Sequence, residues 1–434
     1  MKNKIERYLL LLLILLLPTQ LGHYFFGDFS FIDGFRVDYL APFLGLFDCV
    51  FLVLFVFKLI KLMQPKKLKR ISFYLVCIFQ TLDIMQRRND SGQAGMTNKF
   101  AKQLAMGMTG AILLIIWQLF ISSSDIVMFY RFARYIQVIL LFFWFKNTKL
   151  QPSQIISMVS LGASLELILT IWQVKAGASV GGFWYFLGER YILTTHPAVA
   201  KVVYGTTELL RGYGTFSHPN SLAGFYLMWY LYLQKVTFPK GDKYSIIIEI
   251  CKIFCVFLVL LSFSKVAIFL LLFSYLSEGL KNYNCIFCKI TKLLVVFSVG
   301  FFYFLGIHDI AGIQKRVEFM FNALEIVVKY PLGVGFGNYL IALQKLQIPS
   351  KFHDIFNQPV HNIFLLFLSE TGFIGLIGVV IILKKYSQLL LIQVKKNWMI
   401  FFAIFLIGIS DHYFLTLPQN LTQMGIILGL IRKA

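Results

Sequence analysis

Apolar runs close to the roughly 20 residues that a helix needs to cross a bilayer recur from one end of this 434-residue chain to the other. That recurrence constrains the fold more than any other feature. Hydrocarbon offers the backbone no partners, so a spanning segment must be a helix or part of a closed barrel. A barrel would show alternating segments of about ten residues, and none occur. The composition agrees: 58% of residues are hydrophobic and only 14% are charged, against about a quarter charged in soluble domains. The expected fold class is an all-α integral membrane protein.

The net charge of +21 suggests nucleic acid, but its distribution argues against that partner. Basic residues gather in short loops beside the apolar runs: Lys66, Lys67, Lys69 and Arg70, then Lys384 and Lys385, Lys395 and Lys396, Arg432 and Lys433. Such clusters mark cytoplasmic loops, and membrane lipids are the implied surroundings. The opening "MKNKIERYLLLLLILLLP" has a basic start and an apolar run with no small-residue cleavage site after it. It reads as an uncleaved first span.

Spans are expected near 8–25, 39–60, 104–121, 126–145, 153–173, 216–234, 244–262, 265–280, 290–307, 362–383, 398–416 and 419–431. Residues 71–103 stay cytoplasmic, with 71–85 in the interface or dipping in and returning, because a full crossing there would put every later basic loop outside. About twelve helices result, with both termini inside and two long outer loops, 174–215 and 308–361. All seven His fall on or near the outer side in this arrangement, and all six Cys lie in spans or on the inner side. Cys285 and Cys288 form a CxxC with no second pair or nearby His to complete a zinc set, so they read as reduced thiols.

Long loops tend to carry function, and both outer loops carry candidate chemistry. The first ends in "LLRGYGTFSHPNSLAG". Arg211 precedes Gly212 and Gly214, Pro219 suits a first helical turn, and His218 or Ser217 stands near the cap. A helix N-terminus beside an Arg is an anion site. The second loop carries "QKRVEFMFNALEIVVKYPLGVGFGNYL". Arg316 starts an amphipathic segment suited to the membrane face, and Gly333, Gly335 and Gly337 form a bent loop, spaced wrongly for a dinucleotide fingerprint.

"QPVHNIFLLFLSETGFIG" then returns the chain to the membrane. His361 at its mouth is the candidate base, since imidazole takes a proton near neutral pH. Glu370, nine residues on, is about 13 Å away along a straight helix and half a turn round. It is assigned a supporting role, paired with Arg131 or Arg134. Two Arg and a His on one membrane surface suit a diphosphate, whose oxygens match the guanidinium fork. The chain has no DxD motif, which disfavours a carboxylate-held Mg²⁺. No metal ligand set and no cofactor are expected.

The ordered set "RGYGTFSHPNSLAG", "SFSKVAIFLL", "RVEFMFNALEIVVKYPLGVGFGNY" and "VHNIFLLFLSETGFIGL" resembles the O-antigen ligase and polymerase-like membrane proteins, which include bacterial protein O-oligosaccharyltransferases. The resemblance covers 205–383. It implies three parts: N-terminal helices with the first outer loop (1–204), an O-antigen ligase-related core (205–383), and C-terminal helices (384–434). It implies a GT-C-like bundle in a bacterial cytoplasmic membrane, with its active site on the outer face. The implied donor is an undecaprenyl-diphosphate-linked oligosaccharide, and the acceptor is a hydroxyl of a glycan, lipid or protein.

The family's outer-loop Arg falls on Arg211, its second Arg on Arg316, and its HN pair on His361 and Asn362. Where the family has Arg after Ser, this chain has Lys265, so Arg316 and Lys265 both stand as the second phosphate contact. His218, Asn220, Asn362 and Glu370 take supporting places. The competing class is a transporter or flippase for lipid-linked glycan. Such proteins put ionisable groups near the bilayer midplane, whereas the candidate polar groups here cluster in the two outer loops.

Overall fold

The computed structural model describes residues 2–63, 114–196, 199–204, 207–239, 241–282, 286–305, 310–347 and 358–433. The readings placed on 71–103 and on Cys285 lie outside these residues. The described chain is mostly helical. Helices Lys2–Leu16 and Leu46–Leu62 come first, then Asp125–Lys146 and Pro152–Ala176, then Pro219–Leu233, Lys243–Leu261, Lys265–Asn282, Ile286–Leu305 and Ile310–Lys329. Ile363–Lys385, Ser387–Lys396, Trp398–Ser410 and Pro418–Lys433 complete the C-terminal part. Three two-stranded antiparallel ribbons lie in the connections. One pairs Gly22–Tyr24 with Phe43–Gly45, in the register His23 to Leu44. Another pairs Lys201–Tyr204 with Thr207–Leu210 and ends beside Arg211.

Among the described residues four helices are long and apolar enough to cross a membrane: Asp125–Lys146, Pro152–Ala176, Lys243–Leu261 and Ile363–Lys385. A fifth is gained if Ser387–Lys396 and Trp398–Ser410, bent by 101°, form one span. This supports an all-α membrane protein but not the twelve spans expected. Several expected spans are too short as helices. The first stops at Leu16, before Pro18, and the chain enters a ribbon at Gly22. The second starts only at Leu46, after the partner strand Phe43–Gly45. Pro418–Lys433 has 16 residues, about 24 Å at 1.5 Å per residue. Of the expected span 104–121, only 114–121 is described, and it is helical.

The helix Pro219–Leu233 explains another shortfall. Its sequence "PNSLAGFYLMWYLYL" is apolar on every side, and nearly every residue is buried. A helix apolar all round belongs in a core. It packs against Lys243–Leu261, Pro418–Lys433, Trp398–Ser410 and Lys265–Asn282, and with 15 residues it is the axis of the bundle. Gly224 admits Tyr413, whose hydroxyl would lie 2.3 Å from an added Cβ.

Asp48 and Arg134 form an ion pair with side chains 5% and 6% exposed. Gln137 Nε2 donates to Asp48 Oδ1 at 2.8 Å, and the Gly45 amide donates to Oδ2 at 2.8 Å. Arg134 also donates to the Phe43 carbonyl. One cluster thus ties the Leu46–Leu62 helix to Asp125–Lys146 and caps the former. Of the two expected partners of Glu370, Arg134 is engaged with Asp48, while the charge of Arg131 acts on Glu370. Glu370 accepts from the Tyr39 hydroxyl at 2.5 Å. Arg131 lies over the Tyr39 ring at 4.3 Å and donates to the Tyr39 carbonyl at 2.8 Å.

The helix Ile363–Lys385 is not straight. Gly372 breaks it with φ 64 and ψ −168. A break inside an apolar helix frees backbone groups that lipid cannot satisfy. The glycine-rich loop after Tyr330 satisfies them: Val334 N donates to Ser369 O (3.1 Å), Gly335 N to Glu370 O (2.9 Å), and Phe373 N to Pro331 O (2.9 Å). A Cβ at Gly372 would lie 2.2 Å from the Leu332 carbonyl carbon. We therefore expect Gly372→Ala to lower stability by at least about 1–3 kcal/mol, read as thermal unfolding in lipid nanodiscs. An unchanged melting temperature would show that the loop is not seated in the break. Gly378, further along the same helix, faces open space.

Candidate active site

Two helix N-termini bring the candidate residues together. Before Pro219–Leu233, His218 is the N-cap, and its Nδ1 accepts from the Asn220 amide at 3.1 Å. Before Ile363–Lys385, Asn362 is the N-cap, and its Oδ1 accepts from the amides of Phe364 (2.9 Å) and Leu365 (3.0 Å). Asn362 therefore has a structural task, which fixes the backbone that presents His361. The His361 ring stacks on Phe319 at 5.7 Å and meets the His412 ring edge-on at 5.1 Å.

Arg211 leaves the 201–210 ribbon where Gly212 passes close to the 243–261 helix end, the Gly212 amide donating to Leu261 O at 2.8 Å. Its Nε donates to the Ser262 carbonyl at 2.8 Å, and its Nη2 donates to Asn220 Oδ1 at 2.6 Å. Asn220 Nδ2 in turn donates to Asp411 Oδ2 at 2.9 Å, and Asp411 Oδ1 accepts from the His412 amide at 2.8 Å. A continuous polar chain thus runs from Arg211 through Asn220 to Asp411, at the C-terminal end of the Trp398–Ser410 helix.

Two cavities meet at this chain. The larger, of ≈ 660 Å³, is lined by Arg211, Lys265 and Arg316 together with Lys201 and Lys315, and by the carboxylate of Asp411; Lys201 is ion-paired with Glu208 at 2.7 Å. The smaller, of ≈ 230 Å³, is lined by His218, His361 and His412 and by four tyrosines. Gln358, Asp411 and Tyr413 line both. The structure therefore gathers Arg211, Lys265, Arg316 and Asn220 around one space, and His218 and His361 around its neighbour. Glu370 lines neither cavity. It holds the glycine loop and Tyr39 in place.

Asp411 and His412 were not singled out from the sequence. Their signal is "ISDHYF", an acid and a His interrupting an apolar run, and ionisable groups inside apolar segments mark function by default. Burial opposes ionisation of Asp411. His361, His412 and His218, when protonated, and the Arg316 guanidinium outweigh it, and the carboxyl lies below its usual range. The histidines move the other way. Burial, aided by Arg316 and Lys315 and opposed by Asp411, lowers His361 below its ordinary 6.5. Burial lowers His218 and His412 to about 3. At neutral pH the site thus holds an ionised carboxylate among neutral imidazoles, the state a general base requires.

Donor atoms of His361, Asp411 and His412 lie within 4.8 Å of one another, a set that a transition metal can use. Arg316, Lys315 and Arg131 act on the same groups and repel a dication. The arrangement suits an anion at the larger cavity and a hydroxyl beside His361. Compared with protein-family models and with curated proteins, the sequence matches none.

Proposed function

We propose that this chain is a membrane glycosyltransferase of the O-antigen ligase and polymerase type. It would transfer glycan from an undecaprenyl-diphosphate carrier to a hydroxyl at the outer face of a bacterial cytoplasmic membrane, in a GT-C-like bundle with both termini cytoplasmic. The observation that carries this reading is the joining of a five-cation cavity to a histidine-lined one through a single buried aspartate.

Arg211, Lys265 and Arg316 hold the diphosphate, so the alternatives for the second contact need not be chosen between, because all three line one cavity. Arg supplies a planar fork for phosphate oxygens, and Lys a point charge. Fixed cations aimed at a developing diphosphate anion stabilise the leaving group. His361 takes the proton of the acceptor hydroxyl. The acceptor oxygen bonds to the anomeric carbon with inversion, the bond from that carbon to the phosphate oxygen breaks, and its electron pair leaves with the carrier diphosphate. Asn220 holds Arg211 and Asp411 in register, and His218 shapes the turn between the cavities.

Because burial holds His361 below 6.5, it stays unprotonated at a pH where an ordinary imidazole is half charged. The acid limb of kcat/KM is therefore expected below pH 6.5. A limb above pH 7 would contradict this assignment.

The broken helix at Gly372 is the one feature that favours the transporter reading, since transporters use broken helices at their binding sites. Here the glycine loop is seated in the break, bonded to Ser369 O, Glu370 O and Phe373 N. The test is the purified protein in nanodiscs with an undecaprenyl-diphosphate-linked oligosaccharide, following carrier diphosphate and glycan size. Release that persists in EDTA supports metal-independent transfer. No release across a range of donors supports transport.

A further inference from the structure

The two joined cavities differ in charge, and that difference identifies what enters the smaller one. The larger is strongly cationic. In the smaller, Asp38 and Asp411 balance Arg131 and Arg190. A phosphorylated lipid acceptor would need an excess of cations there, and none is present. The cavity is lined instead by tyrosine rings and by one carboxylate–guanidinium pair, Arg190 Nη2 to Asp38 Oδ2 at 2.8 Å. Those two side chains are 34% and 36% exposed, so the pair stands at an accessible edge. The Arg190 guanidinium lies 5.9 Å from the Tyr24 ring centroid. Flat aromatic faces beside charged hydrogen-bonding groups match a sugar ring, which offers C–H faces and a rim of hydroxyls.

Size agrees. The ≈ 230 Å³ equals the liquid volume of roughly eight waters at about 30 Å³ each, room for one ring with its hydroxyls. His361 Nδ1 is buried with no hydrogen-bond partner, and His361 lines this cavity. A buried polar atom without a partner is costly, and an acceptor hydroxyl would supply one.

We propose that the smaller cavity is the acceptor subsite and takes an uncharged sugar residue, one of whose hydroxyls reaches His361. This rests on the transferase reading above and narrows it to a glycan acceptor. Specificity then comes from Tyr24, Asp38 and Arg190, all in the N-terminal part of the chain and outside the motifs that carry the resemblance. The acceptor proton passes to His361, the acceptor oxygen bonds to the anomeric carbon, and the diphosphate departs into the cationic cavity.

The test uses two probes on the full chain in nanodiscs: a panel of neutral methyl hexosides, followed by saturation-transfer NMR titration, and inorganic pyrophosphate, followed by calorimetry. At least one methyl hexoside is expected to bind the wild type. Asp38→Asn and Tyr24→Ala should each weaken that binding at least about 10-fold, the loss typical of a charged hydrogen bond, with pyrophosphate affinity unchanged. Arg211→Ala should weaken pyrophosphate and spare the hexoside. Hexoside binding that is absent, or indifferent to both substitutions, while pyrophosphate still binds, overturns the acceptor inference and leaves the transferase reading standing. Tighter binding of a serine peptide or a sugar phosphate than of any neutral hexoside also overturns it. Failure of both probes removes the acceptor inference together with the reading it rests on.

Discussion

Replacing His361 with alanine is expected to lower the proposed glycan transfer by about 10²- to 10⁴-fold, the range for loss of one positioned base, or roughly 3–5 kcal/mol of barrier. The effect should fall on kcat rather than on donor affinity, because the residues proposed to hold the diphosphate line the neighbouring cavity. Folding is retained: Asn362, not His361, caps the 363–385 helix, and His361 contributes one face to Phe319. The measurement is single-turnover release of carrier diphosphate at saturating donor, beside the melting temperature of each variant. His412→Ala is the useful comparison. His412 Nδ1 is engaged with the Thr416 hydroxyl at 2.7 Å, so it is a neighbour of the base rather than the base. A His361→Ala protein with wild-type turnover would remove His361 from the chemistry.

Asp48→Ala produces the largest expected loss of stability, about 3–5 kcal/mol, the cost of leaving one partner of a buried ion pair unpaired. Arg134 would keep the Phe43 carbonyl, Gln137 and Tyr130 as partners but lose its only counter-charge among them. The Gly45 amide would also lose its acceptor. The double variant Asp48→Ala with Arg134→Met removes both charges and should recover much of the loss, since apolar replacements of buried pairs are often near neutral. Thermal unfolding in nanodiscs separates the cases. Equal destabilisation by the single and the double variants would show that packing, not charge, is what Asp48 supplies.

How much of this was legible in the sequence depends on locality. Arg211 stands nine residues before Asn220 in one loop-to-helix stretch, and spacing alone suggested an anion site there. His361 could be read because it stands at the mouth of an apolar run. Asp411 and His412 were hidden by the same averaging that finds membrane helices. The apolar residues on both sides of "SDHY" merged into one expected span, 398–416, and the polar turn that ends the helix at Ser410 disappeared into it.

The span count failed for a related physical reason. Hydropathy reports that a segment avoids water, not that it touches lipid. The 219–233 helix is apolar because it is surrounded by other helices, and at 15 residues it is too short to span alone. The break at Gly372 was partly visible, because Gly333, Gly335 and Gly337 mark a loop that must approach other backbone. Which backbone it approaches, the freed carbonyls of Ser369 and Glu370, is a long-range fact that no spacing encodes. Likewise charge alone offers Glu370 either Arg131 or Arg134; Arg131 is the one whose charge acts on it, and the partner of Arg134, Asp48, lies 86 positions away.

The proposed transfer requires that the cationic cavity grip a carrier diphosphate beside His361. Cryo-electron microscopy of the protein in nanodiscs with undecaprenyl diphosphate tests it most directly. The account predicts diphosphate density within hydrogen-bonding distance of Arg211, with Lys265 or Arg316 on its other side and the His361 ring facing the junction at Asp411. Density for the diphosphate at any other place, with the 660 Å³ cavity left to solvent, would contradict it.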